Sequence, residues 1–130
     1  MPRNQPRRWP ISLVRLFAAI TLLQVLLQAA FAGGFISGRI GYLNAHSVNG
    51  SVLVMTVMLL GGSTVLLFRP ARGPWWPILI SALLWWLCAI QVGLGFARVV
   101  GVHIALGAAI TALSTGLLWW SLGYRQRVAA

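Results

Sequence analysis

The chain has 130 residues, 59% of them hydrophobic, with a mean hydropathy of +0.86. All ten formal charges are arginines, with no lysine and no acidic residue, giving a net charge of +10. This composition is too apolar for a soluble domain, and it excludes any carboxylate general base, calcium or magnesium cage or carboxylate proton relay built from this chain.

Residues 1–10 are basic and broken by prolines, and read as a short tail. An apolar segment follows over about 13–34. Basic residues, an apolar run and Ala30-Phe31-Ala32 also fit a cleavable leader. Retention is expected, because Gln28 and its small neighbours match Gln91 in a segment that cannot be one. A glycine-rich loop over 34–45 carries Arg39. A second helix is predicted over 46–68, ending at the basic turn Arg69-Pro70-Ala71-Arg72-Gly73-Pro74. A third spans 75–97 and a fourth 102–123, before a basic tail at Tyr124 to Arg127. Each run is long enough to span a membrane. The fold class expected is all-α, a four-helix transmembrane bundle of two pseudo-two-fold related hairpins, as one integral membrane domain over 1–130.

A net charge of +10 is a feature of nucleic-acid-binding chains, but here the arginines cluster at the ends of apolar segments, where they suit anionic lipid headgroups instead. No nucleic-acid partner is expected. Arg3, Arg7, Arg8, Arg15, Arg69, Arg72, Arg125 and Arg127 fall on one side of the bilayer, Arg39 and Arg98 on the other. The larger group places both termini in the cytoplasm. Trp9, Trp75, Trp76, Trp119 and Trp120 fall on that side as an interfacial belt. The arginine-only, alanine- and leucine-rich make-up points to a bacterial inner membrane. Cys88 lies mid-helix and cannot form an internal disulfide.

Two stretches echo each other. Gln91-Val92-Gly93-Leu94-Gly95 precedes Arg98 and His103-Ile104-Ala105-Leu106-Gly107; Gln28, followed by Ala30 and Ala32, precedes Gly33, Arg39 and His46 with Gly50 four places on. His46 to Arg69 and His103 to Arg125 each cover roughly 33 to 35 Å of helix, one bilayer with its edges. The histidines therefore sit at equal depth at the outer face, on helices able to oppose each other across the bundle. Paired imidazoles so placed suit axial ligation of one haem b per chain. The second ring nitrogen of each would need an acceptor, from Gln28, Gln91, Asn44, Asn49, Ser47 or a helix-end carbonyl. Gly33, Gly50, Gly93, Gly95 and Gly107 would give a flat porphyrin clearance, and Arg39 and Arg98 could pair with its propionates. The plainer reading is that small residues let helices pack and the histidines are satisfied polar groups. Zinc would want four ligands, and copper a thiolate or methionine; Cys88, Met55 and Met58 lie too deep. Trp85 and Trp86 read as packing or lipid-facing bulk.

On these residues the chain resembles one four-helix half of the haem A synthase family, with a likeness also to small four-helix bacterial haem-binding membrane proteins. Gln28 to Gly34 with His46 resembles the family's first two helices, and Gln91 to Gly95 with His103 its third and fourth. The resemblance covers most of residues 13–122 and implies His46 and His103 as axial ligands. Leu43 stands where the family has glutamate, Ser47 where it often has arginine, and its paired outer-loop cysteines are absent. What the resemblance implies is the haem-holding scaffold rather than the oxidative chemistry, and whether the chain is an enzyme stays open. The family's tandem halves suggest a homodimer or a larger complex here. The function expected is electron transfer or haem handling; the alternative is a cofactor-free accessory or scaffold subunit of a respiratory or transport complex.

Overall fold

The computed structural model describes residues 9–125. It contains four helices: α1 (Trp9–Ile36), α2 (Gly41–Phe68), α3 (Trp76–Phe96) and α4 (Val100–Gly123). Backbone in a bilayer has no water to bond, and a helix satisfies its N–H and C=O groups internally. All four are long and apolar enough to cross a membrane, and the chain is an all-α, multi-pass membrane protein. Arg3, Arg7, Arg8 and Arg127 lie outside the described residues. Of the rest, Arg15, Arg69, Arg72 and Arg125 share one end of the bundle, and Arg39 and Arg98 the end that carries the histidines.

Two helix ends differ from expectation. α1 starts at Trp9, with Pro10 in its first turn, rather than near Leu13, and α2 starts at Gly41 rather than at His46. The stretch expected as a loop over 34–45 shrinks to residues 37–40. Of its glycines, Gly34 serves close approach and Gly38 a left-handed cap. The Tyr42 ring lies on the Gly34 backbone, where an added Cβ would come within 2.8 Å of its Cγ. α1 then ends in a Schellman cap: Gly38, at φ 88°, donates to the Phe35 carbonyl and Arg39 to that of Gly34. α3 ends the same way, with Arg98 donating to Gly95 and Val99 to Leu94. At the other end, α2 stops because Pro70 forces Arg69 into extended backbone (φ −139°, ψ 120°). The α4 C-terminus is capped by Arg15, whose guanidinium donates to the carbonyls of Ser121 (2.9 Å) and Tyr124 (3.0 Å).

Each helix packs against its chain neighbours, α4 closes the ring against α1, and the backbones of the diagonal pairs α1/α3 and α2/α4 stay apart. The buried positions repeat in steps of three and four. On α1 they are Ile11, Val14, Ala18, Thr21 and Val25; on α3, Pro77, Ser81, Leu84 and Cys88. On α2 the same rhythm runs Gly50, Leu53, Val57, Leu60, Thr64 and Leu67; on α4, Ile110, Ser114, Leu117 and Ser121. This is the seam of a left-handed four-helix bundle. The hairpins superimpose in sequence as well, Val14 on Pro77 and Val25 on Cys88, Leu53 on Ile110 and Thr64 on Ser121. The first hairpin is longer by three residues on each arm beyond the matched Gln28/Gln91 and His46/His103 positions, because Gly38 and Arg98 occupy the same place in the two caps. That adds about 4.5 Å to its height.

Helix association in lipid gains little from apolar burial and depends on close packing with a few polar ties. The small and hydroxyl-bearing seam residues provide both. Thr64 and Ser81 share a buried hydroxyl–hydroxyl bond of 3.1 Å that ties α2 to α3, worth about 0.6 kcal/mol in a bilayer. Bulky residues such as Leu23, Met55, Leu79 and Trp119 face outward to lipid. Trp86 does so too, 61% exposed, while its neighbour Trp85 packs against the core. Burial is also uneven along the axis. Among the described residues none is buried after Val25 on α1, before Gly50 on α2, after Cys88 on α3 or before Ile110 on α4. The histidine end of the bundle is open.

Candidate functional site

The three–four seam continues past the last buried layer into four polar side chains: Gln28 after Val25, His46 before Gly50, Gln91 after Cys88, and His103 before Gly107. All four are partly buried. They occupy core positions of four different helices, so the bundle turns them inward by the same geometry that packs its leucines.

The two imidazole rings meet across the α2/α4 diagonal, with centroids 5.9 Å apart and planes at 47°. His46 Nδ1 lies 3.1 Å from the Gln28 carbonyl oxygen and His103 Nδ1 3.0 Å from that of Gln91. A backbone carbonyl only accepts, so Nδ1 carries a proton in both rings, and in the neutral imidazole Nε2 is the nitrogen with the lone pair. A carbonyl on the outer nitrogen is also what fixes the tautomer and orientation of a metal-binding imidazole. The acceptors are therefore mid-helix backbone carbonyls, not the glutamine, asparagine or serine side chains considered above. Asn44 and Ser47 are exposed, and Asn49 donates instead to the Gln24 carbonyl (2.9 Å).

The glycines acquire individual reasons. A Cβ on Gly95 would stand 3.3 Å from His103 Cε1 and 3.6 Å from its Nδ1, so a small residue four places after Gln91 lets the ring reach the carbonyl. Gly50 and Gly107 make room for the glutamine amides. A Cβ on Gly50 would lie 2.7 Å from Gln28 Nε2, and one on Gly107 3.2 Å from Gln91 Nε2, which donates to the His103 carbonyl at 2.7 Å. Gly33 and Gly93 face open space. The repeats do not mark Gln24, and they offer Asn49 only as a candidate acceptor; their counterparts in the second hairpin are Leu87 and Leu106. Their four- and three-residue spacing from Gln28 and His46 was the available signal.

The two rings stand 5.9 Å apart in a site without a carboxylate. Among the described residues, no group of three or more His, Cys, Asp or Glu side chains could hold an ion. Arg39 and Arg98 stand exposed in the two turns preceding the histidine-bearing helices. Arg98 holds a left-handed backbone (φ 58°) at the cap position where the first hairpin has Gly38. Glycine or asparagine is usual there, so an arginine is kept at a cost of about 1 kcal/mol or more. The side-chain amide oxygens of Gln24, Gln28 and Gln91 are buried without a hydrogen-bond partner.

No protein-family model matches this chain, and comparison with curated proteins and with solved structures finds no match.

Proposed function

We propose that this chain is a membrane cytochrome-like protein that holds one b-type haem between His46 and His103. The observation that supports this most directly is the pair of Nδ1-anchored imidazoles 5.9 Å apart at the open end of the bundle. His46 and His103 would hold the haem iron, the Gln28 and Gln91 carbonyls would keep each ring in its ligating tautomer, and Arg39 and Arg98 would offer guanidinium groups to the propionates. The bound group would supply one-electron chemistry, and two protein ligands favour electron transfer or haem handling over oxygen activation. With no acidic side chain in the chain, no residue here acts as a carboxylate acid or base. The arginine distribution supports a reading in which both termini face the cytoplasm of a bacterial inner membrane and the histidines lie toward its outer face.

The test is the visible spectrum of the protein purified after expression with haem supply. A low-spin Soret band with sharp α and β bands on reduction is expected, and His46→Ala and His103→Ala should each abolish it. A colourless wild-type protein, or a spectrum that survives both substitutions, overturns the proposal; the colourless result returns the chain to a cofactor-free scaffold role.

A further inference from the structure

The end of the bundle opposite the histidines carries a second feature. The α2–α3 turn forms a shallow cavity of about 540 Å³ lined by Phe68, Arg69, Pro70 and Arg72. Its shape is fixed from below. Ala71 is buried in the core, and Gly73 donates to the Leu67 carbonyl at 2.8 Å. Gly73 packs so closely that a Cβ would stand 2.7 Å from that carbonyl oxygen. The pinned backbone leaves both arginines exposed, one on each side of Ala71. The Arg69 guanidinium lies 5.6 Å from the centre of the Phe68 ring. Arg72 holds a left-handed backbone, φ 57°, where glycine would be free of strain.

An arginine retained at a strained position calls for a use of its charge. No side chain can neutralise it, because the sequence has no Asp or Glu. Arg15, at the same end, is already committed to the carbonyls of α4. Guanidinium groups bind phosphate bidentately, and the turn lies where a membrane-spanning helix ends, at headgroup level. Phe68 and Pro70 add an apolar wall for the first carbons of a glycerol backbone.

We infer that the Arg69–Arg72 turn is a specific site for the phosphodiester of an anionic phospholipid. This inference does not depend on the haem reading.

Native mass spectrometry tests it on full-length protein released from phosphatidylcholine bilayers doped with phosphatidylglycerol. Wild type should retain one phosphatidylglycerol per chain. Arg69→Gln and Arg72→Gln should each weaken retention about fivefold and the double variant about 25-fold. Arg125→Gln, with the same change in net charge, should retain the lipid as wild type does. Arg69→Lys/Arg72→Lys should keep the fold and most of the binding, which separates lost charge from misfolding. Equal loss in Arg125→Gln would show a diffuse charge effect and overturn the assignment. So would displacement by millimolar inorganic phosphate, which would mark the ligand as a free anion, or equal retention of phosphatidylcholine.

Discussion

The glutamine side chains can be separated from their backbone, and Gln91→Met does so. The substitution keeps length and flexibility but removes the amide. It deletes the 2.7 Å bond from Nε2 to the His103 carbonyl, worth about 0.6 to 1 kcal/mol. It also deletes a buried carbonyl oxygen that has no partner, and relieving an unsatisfied acceptor returns about 1 to 3 kcal/mol. The second contribution is the larger, so the variant should be as stable as wild type or more stable by about 1 kcal/mol. The bond from His103 Nδ1 to the Gln91 carbonyl survives, since it involves the backbone. Ligation should be untouched. The assay follows the reduced α band and the Soret band of holoprotein through a denaturation series in mixed micelles, and compares midpoints with wild type. A low-spin spectrum lost in a folded variant would mean the amide, not the carbonyl, orients the imidazole. Destabilisation beyond about 2 kcal/mol would mean the amide oxygen has a partner, such as bound water, and the ledger has the wrong sign.

Two further substitutions address other parts of the argument. Gly34→Ala drives a Cβ to within 2.8 Å of Tyr42 Cγ and 2.9 Å of Cδ2; a ring packed on backbone cannot yield cheaply, so a loss of about 1 to 3 kcal/mol is expected. Adding Tyr42→Ala should recover part of it in a double-mutant cycle, and purely additive effects would rule out the contact as the cause. Arg98→Gly relieves the left-handed backbone at φ 58° and should raise thermal stability of the apoprotein by about 1 kcal/mol while weakening haem retention. Stability that rises with haem affinity unchanged would remove Arg98 from the site.

How much of this could be read from the letters depended on what lipid hides. The four spans were plain, because unbroken apolar runs of that length have few other uses. Which face of each span points inward was not, since Leu23 or Met55 in lipid is as apolar as Leu60 in the core. The inward face is marked instead by small and hydroxyl residues, Ala18, Thr21, Ser81, Ser114 and Ser121, in three–four spacing that includes both histidines and both glutamines. The start of α2 was placed at His46 because glycines normally read as loop, a habit learned in water; here Gly33, Gly34 and Gly41 are helical. The pairing of each glutamine with its histidine was legible as a repeated pattern. Its chemistry was not, because spacing does not distinguish a side-chain amide from the carbonyl behind it.

The hydrogen bonds also divide the molecule in a way that bears on the site. At the histidine end the side-chain ties run within hairpins. His46 and Asn49 bind the Gln28 and Gln24 carbonyls across α1 and α2, while His103 and Gln91 bind each other's carbonyls across α3 and α4. The side-chain ties between hairpins sit at the other end, the Thr64–Ser81 hydroxyl pair and the Arg15 bonds to the end of α4. Each imidazole is therefore fixed to its own hairpin, and each hairpin to the other at the far end of the bundle. The distance between the rings is the one dimension that no side-chain hydrogen bond among the described residues sets directly. It follows from packing of the buried seam up to Val25, Gly50, Cys88 and Ile110 and of the partly buried Leu106 beside it. On the proposed haem reading, a small tilt of one hairpin against the other would adjust that distance without breaking any of these ties.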